Sequence, residues 1–279
     1  MKTLTCIGAS AACAISLAAG LPAAAQPAKA PVPAAAPAAS PALDPGNISG
    51  VWLSYDPPTQ KQKPMAAAGG SGRSANVASL RDMDGNPIEL QPWAQAIADQ
   101  RLKDARDGHP FAHTKSRCLP AGLPKSMDPP NALPMQILIN PSQITILFEE
   151  FNDFRIIHMG GKHPPLDDLD PGFFGHSIGH WEGKTLVVDS IGFNTETTID
   201  SFGMPHSEQM HVVERIRRTG PDTLEDLMTV EDPKAYKRPW KMQSVFRTRP
   251  GLGVMEYYCL NDRNTPDETG RTGIQLPGR

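Results

Sequence analysis

Most of the sequence patterns that betray a chemistry on sight are missing from this 279-residue chain. It carries neither a P-loop nor a Rossmann glycine pattern, so phosphate cradling on a glycine-rich turn is not expected. Neither C-x-x-C nor C-x-x-C-H occurs, which sets aside thioredoxin chemistry and covalent haem. A hydrolase nucleophile elbow is not expected either. Beyond the first twenty or so residues no apolar run is long enough to span a membrane. Aromatics are few, at 6%, and no basic stripe interleaves with them; with a formal net charge of −3 this argues against a nucleic-acid partner. No internal repeat at a fixed period is present.

What is present starts with compartment. Met1-Lys2 is followed by the apolar "CIGASAACAISLAAGL" and by "AAA" at 23–25. Residues 1–25 therefore read as a secretory signal peptide, with no membrane anchor left after cleavage and a periplasmic or secreted destination. Cys6 and Cys13 leave with it. Cys118 and Cys259 remain, and in an oxidising compartment a lone pair is most simply one disulfide. Closing a loop of roughly 140 residues is assigned about 5 kcal/mol, as an upper figure, by chain entropy. Residues 26–46, rich in proline and alanine, form a spacer without a core. The folded domain is expected over 47–264, with a loose tail at 265–279.

Within 47–264 the pattern is mostly that of strands. "ISGVWLSY" is the first, followed by a long polar excursion to about Pro87. "QPWAQAIADQRLKDAR" is the one helix signal, with Pro92 suited to its first turn, Gly108 to its stop, and Trp93 and Ile97 four apart on one face. From Met135 onward come "MQILIN", "QITILFEE", "DFRIIHM", "FGHSIGHW", "TLVVDSI", "EQMHVVERIR", "TLEDLMTVE", "KMQSVFRTR" and "VMEYYCL", separated by short turns. The fold class is all-β: an antiparallel barrel or sandwich of about ten strands with one helical excursion. A barrel is favoured because closure removes the free edges.

The stretch "FFGHSIGHWEGKTLVVDS" holds the best cluster. Two glycines and a β-branched residue make "GHSIGHW" a poor helix, and as a strand it puts His176, Ile178 and His180 on one face. A two-residue loop at Gly183-Lys184 pairs Ile178 with Asp189, and one at Glu182-Gly183 pairs His176 with Asp189. Both bring Asp189 to the histidine face, which is read as the interior wall of the barrel. A carboxylate on one imidazole nitrogen fixes the tautomer and frees the other to take a substrate proton. His206, in the loop "FGMPHSEQM", joins the candidate catalytic set if that loop closes over the barrel mouth. No cofactor is predicted, although His176, His180 and His206 would suit a divalent metal.

Candidate substrate-binding residues are Arg155, Arg215, Glu214 and His211. A four-residue turn at 219–222 pairs Arg215 with Asp226, facing the same way as His211, as an ion pair or as a clamp for a substrate carboxylate. Glu214 faces opposite to Arg215, and His158 opposite to Arg155, so one of each pair points inward. His163 and His109 read as loop positions, and Tyr257 and Tyr258 as packing.

"GHSIGHWEGKTLVVDSIGFN", "PHSEQMHVVERIRR", "MTVEDPKAYKRPW", "CLPAGLP", "FRIIHMGGKHP" and the "ISGVW" start together resemble a family of secreted bacterial proteins of unassigned function. The resemblance covers most of 47–264. Lys184 departs from it, standing where an aspartate is expected, in the turn. That family implies no activity. Gly50-Val51-Trp52 is similar to the G-x-W start of lipocalin-like barrels, which implies a ligand cavity by analogy only. The expected function is acid–base catalysis by His and Asp, of lyase, dehydratase or isomerase type, on a small organic molecule such as a sugar or an aromatic. The alternatives are a periplasmic small-ligand carrier and a histidine-based metal-binding protein.

Overall fold

Short runs of β-branched and aromatic residues alternating with polar ones form nine strands in the computed structural model. It describes residues 46–55, 81–109, 111, 114–128, 133–200, 203–257 and 259. The signal peptide, nearly all of the spacer, the tail and most of the excursion before Pro87 lie outside the described residues. The strands are β1 (Gly50–Ser54), β2 (Met135–Asn140), β3 (Gln143–Phe148), β4 (Phe154–Met159), β5 (His176–Glu182), β6 (Thr185–Ile191), β7 (His211–Arg218), β8 (Thr223–Glu231) and β9 (Trp240–Arg247). They follow one another around a closed barrel, and β9 returns to β1 through Leu53↔Arg247 and Ser54↔Phe246. The tenth expected strand, "VMEYYCL", is not one: residues 254–257 are irregular.

All neighbours are antiparallel except β4 and β5, which pair in parallel through Ile157↔Ser177 and Met159↔Gly179. A parallel pair cannot be joined by a hairpin. Residues 160–175 therefore cross over between them, leaving β4 at Gly160 and Gly161, both at positive φ, and re-entering at Gly175. A Cβ on Gly175 would lie 2.5 Å from the Ile191 carbonyl oxygen, so only glycine fits immediately before His176. The barrel is thus mixed rather than purely antiparallel.

The lumen is filled. Trp52, Ile137, Ile144, Ile146, Ile157, Val188, Ile216 and Met228 are each 1% exposed or less. Among them runs a polar seam. Arg155 donates from both η nitrogens to the Glu214 carboxylate, at 2.8 and 2.5 Å, and from Nε and Nη2 to Ser177 Oγ at 3.2 and 3.1 Å. Its Nη2 also donates to Ser190 Oγ at 3.0 Å. Of the paired alternatives left open by the sequence, Arg155 and Glu214 face inward; His158 and Arg215 face out.

The helix α1 (Pro92–Arg106) starts at its proline as expected and gives way to Gly108, at φ +90°. It buries Ala94, Ala98 and Leu102. Trp93 and Ile97 do share a face, but it is the solvent face, where the Trp93 indole donates to the Lys234 carbonyl. None of the described helices is long and apolar enough to cross a membrane.

Cys118 and Cys259 are joined, with Cα atoms 5.9 Å apart. The bond ties the 114–128 segment to a C-terminal strap. That strap is pinned to the turn before β4: Met255 N donates to Glu149 Oε2, and Tyr257 exchanges two hydrogen bonds with the Asn152 side chain. Tyr257 packs edge-on against Phe151, in keeping with its expected packing role.

Two stability measurements check this account. Glu214→Ala strands a buried guanidinium and should cost about 3–5 kcal/mol by urea unfolding, whereas Arg155→Met with Glu214→Leu should cost far less. Reducing the Cys118–Cys259 bond should cost about 2–5 kcal/mol, and the Cys118→Ser protein should lose its sensitivity to reductant.

Candidate functional site

The β5–β6 hairpin takes the first of the two expected registers. Ile178 stands opposite Asp189 and His180 opposite Val187, around a two-residue loop at Gly183-Lys184. Gly183 has φ +61° while Lys184 does not enter the positive region, as a type II′ turn requires. Asp189 therefore shares a face with His176, as the sequence predicts.

That face is the outside of the barrel, which corrects the expected interior site. The inward positions of β5 are Ser177 and Gly179, small because the neighbouring strand fills the space: a Cβ on Gly179 would lie 2.8 Å from Ile157 Cγ2 and 3.0 Å from Met159 Sδ. Ile178 and Val187, on the histidine face, are buried yet lie outside the core cluster.

On the outer face five strands and the crossover assemble a row of polar contacts. His163 Nε2 lies 2.9 Å from Asp189 Oδ1, and His163 Nδ1 lies 2.8 Å from His176 Nδ1. His211 Nε2 meets the other Asp189 oxygen at 3.0 Å, and His211 Nδ1 is 3.6 Å from Glu231 Oε2. His158 stacks on His176 with ring centroids 5.2 Å apart. His163, at 18% side-chain exposure, is the most shielded of the Asp189 partners. A carboxylate only accepts, so His163 Nε2 carries its proton, and in the neutral His163 ring Nδ1 then holds the lone pair. His176 must then donate from Nδ1, which leaves His176 Nε2 as a free acceptor. Burial, then the neighbouring His163 and His158, hold His176 below the ordinary imidazole range, so the ring is neutral at pH 7.

His176 also lines a groove of about 440 Å³ between β4 and the crossover. Asp153, Phe154, His158 and Phe174 line it too. Asp153 is raised to about 6, chiefly by burial and secondarily by Glu150. A base that stays neutral and a carboxyl that keeps its proton to unusually high pH thus share one groove.

Other expected site residues lie elsewhere. His180 is exposed and pairs with Glu182 at 3.3 Å, apart from the cluster. Arg215 stands opposite Leu227, not Asp226, because the β7–β8 turn is one residue longer than expected; its partner is Glu182 at 2.6 Å. Exposed pairs of that kind contribute about 0–1 kcal/mol. Arg155 and Glu214 are paired with each other in the lumen, and the Arg155 side chain is 1% exposed. His206 is 3% exposed and donates from Nδ1 to the Ser207 carbonyl at 3.1 Å, so its Nε2 accepts from Thr197 Oγ1 at 2.6 Å. Its loop docks on the β8–β9 connection, where Asp232 accepts from Ser207 N and Oγ and the Tyr236 hydroxyl donates to the Pro205 carbonyl. His206 is structural and does not join the cluster. Among the described residues no three His, Cys, Asp or Glu side chains form a set that holds a metal ion, which removes the expected His176–His180–His206 site.

Gly175-His176-Ser177-Ile178-Gly179 has the letters of G-x-S-x-G. Ser177 lies within β5, 1% exposed, with its hydroxyl taken by Arg155 and Ser190, so it is no nucleophile elbow. Sequence reasoning missed His163, Asp153 and Glu231 as site residues. The proximity of "GGKHPP" to the hairpin was the available signal for His163, but only the parallel crossover turns it into a contact. Comparison with protein-family models, curated proteins and solved structures finds no match.

The two depressed histidines set the acid response. Protonating either is harder in the folded state, so stability is full above about pH 6.5 and falls as pH drops through that value toward the folded pKa. Asp153 acts oppositely: its contribution is present below the unfolded value of 3.8 and lost as pH rises through about 6. Urea midpoints should therefore fall between pH 6.5 and 5, less steeply in His206→Gln. By NMR the His176 ring should titrate below the free-histidine range and move upward in His158→Ala.

Proposed function

We propose that this protein is a secreted acid–base catalyst whose site is the outer groove rather than the barrel lumen. The supporting observation is the hydrogen-bonded row Asp189–His163–His176, which fixes the His176 tautomer so that Nε2 is a lone-pair base at the groove. The reaction class it suits is proton abstraction next to a carbonyl. His176 Nε2 takes the proton from the α-carbon, and the C–H electron pair moves to form the enol. The carbonyl oxygen takes a proton from the Asp153 carboxyl, which at about 6 holds its proton far better than an ordinary aspartic acid. Delivery of the His176 proton to the former carbonyl carbon of an α-hydroxy ketone, with the α-hydroxyl proton passing to the Asp153 carboxylate as the new carbonyl forms, completes an isomerisation. Delivery to a departing β-hydroxyl, with the enol proton returned to Asp153 as water leaves and the carbonyl re-forms, completes a dehydration. His163 and Asp189 are positioning residues. Through them the charge on His176 spreads toward an anion as it forms. His211 and Glu231 complete the far end of the row.

Export is part of the same proposal: the basic and apolar start reads as a signal peptide, and the Cys118–Cys259 bond fits an oxidising compartment. The carrier reading needs an open lumen and has no observation in its favour.

Solvent-deuterium incorporation tests the chemistry without knowledge of the product. The protein is incubated in D2O with cyclohexanone, dihydroxyacetone or fructose, and α-proton loss is followed by NMR. Enzyme-dependent exchange should be bell-shaped in pH near 6, drop about 10²–10⁴-fold in His176→Ala, and lose its alkaline limb in Asp153→Asn. Asp189→Asn should lower the rate while leaving ligand affinity unchanged. Exchange that is absent for all three ketones, or that survives His176→Ala, overturns the reading.

A further inference from the structure

We infer that the groove selects an uncharged, hydroxyl-bearing ring that carries a ketone, a ketopyranoside in its simplest form, and rejects the anionic counterpart of the same ring. This rests on the groove being the catalytic site, and it names the substrate class of that site.

Three observations converge. First, charge: the described lining residues include two carboxylates, Asp153 and Asp170, and one permanent cation, Arg155. Every η nitrogen and the Nε of Arg155 is already committed to Glu214, Ser177 or Ser190, and the side chain is 1% exposed. A substrate carboxylate or phosphate entering here would meet two acids and no free cation. His176 does not compensate, since burial and its neighbours keep it neutral at pH 7. Second, shape: Phe154 stands 61% exposed on β4, beside Phe174, which is held flat against Phe148 with ring centroids 5.3 Å apart. An exposed phenyl ring in a groove rimmed by polar groups is a platform for the apolar face of a ring. Third, polar reach: carboxylates and imidazoles accept or donate to hydroxyl groups on the edge of that ring. A bare aromatic would leave Asp153 facing apolar surface without a partner, at the cost of a buried polar group left unpaired. A platform plus acceptors fits a ring that is apolar on its face and hydroxylated on its rim.

The crossover supplies one wall, and Pro120 of the disulfide-tied segment with Asn152 of the turn before β4 supplies the other. Asn152 is itself held by Tyr257, so the wall is set before a ligand arrives.

Saturation-transfer NMR and calorimetry on the His176→Ala protein separate this inference from the catalytic proposal, because binding is read with the base removed. The probes are unreactive, ketone-free analogues of that ring: methyl β-glucopyranoside, methyl β-xylopyranoside and the methyl glucopyranosiduronate that differs from the first by its carboxylate. At pH 7 the uncharged glycosides should bind, and the uronate should bind at least about tenfold more weakly. Asp153→Asn with Asp170→Asn should bring the uronate to within about threefold of the glucoside, since only charge is removed. Phe154→Ala should weaken both uncharged probes about fivefold or more without changing the urea midpoint, because the side chain is outside the core. A uronate that binds as tightly as its neutral twin, a Phe154→Ala protein that binds unchanged, or no saturation by either glycoside up to the order of 50 mM would each overturn it. Deuterium exchange intact alongside failed glycoside binding would strike the substrate class alone and leave the base in place.

Discussion

Arg155 meets Glu214 inside the barrel, and four of the five strands that build the outer cluster are the ones this pair and its serines hold together. β4 contributes Arg155 inward and His158 outward; β5 contributes Ser177 and His176; β6 contributes Ser190 and Asp189; β7 contributes Glu214 and His211. Because side chains alternate with a period of two, fixing the inner member of each pair fixes the outer one. A buried ion pair does not have to add stability to matter. Here five donor–acceptor contacts radiate from Arg155 across the lumen; a one-residue slip of β5, β6 or β7 would break those made by its own residue, a slip of β4 would break all five, and the outer row would lose the matching member.

The other constraint is the parallel junction. Had β4 and β5 formed a hairpin, the chain would have had no segment with which to place His163 over the outer face. The crossover of 160–175 exists because parallel strands need it, and it carries the residue that links Asp189 to His176. The remaining distinctive motifs serve assembly rather than chemistry. "PHS" at 205–207 and "EDPKAY" at 231–236 are halves of one joint, held by Asp232 and Tyr236. Burial holds the His206 ring inside it neutral, against the Ser207 carbonyl and Asp232, which favour the protonated form.

Much of this was legible in the residues. The segments of eight of the nine strands after Met135 and of the first strand, the start of α1, the disulfide partners and the Ile178↔Asp189 register all follow from local rules of turn chemistry and alternation. What alternation cannot supply is a sign. It states that His176 and Asp189 share a face, and it is silent on which face the lumen takes. That is settled by volume: Arg155, Ile157 and Met159 crowd the inside of β5 so that only Ser177 and Gly179 fit there, and this crowding comes from a strand whose parallel pairing no local pattern records. The β7–β8 register failed for a smaller reason of the same kind. One residue in the turn around "TGPD" moved Arg215 from Asp226 to Leu227. His163 was read as a loop residue, which it is; its partners are long-range.

An outer-wall site also changes what must do the chemical work. A lumenal histidine could rely on low dielectric to sharpen every interaction. His176 sits in an open groove, so desolvation alone is a weak lever, and geometry has to substitute for it. The row Asp189–His163–His176 does this by removing tautomeric choice: of the two neutral forms of His176, only the one with its proton on Nδ1 satisfies His163. Nothing at the groove need be dry for that selection to hold. His163 is also the more shielded of the two histidines that meet Asp189, which limits the exchange with water that would scramble the tautomer. The site is then best regarded as a surface base wired from behind, with the barrel acting as the rigid frame that keeps the wiring in register.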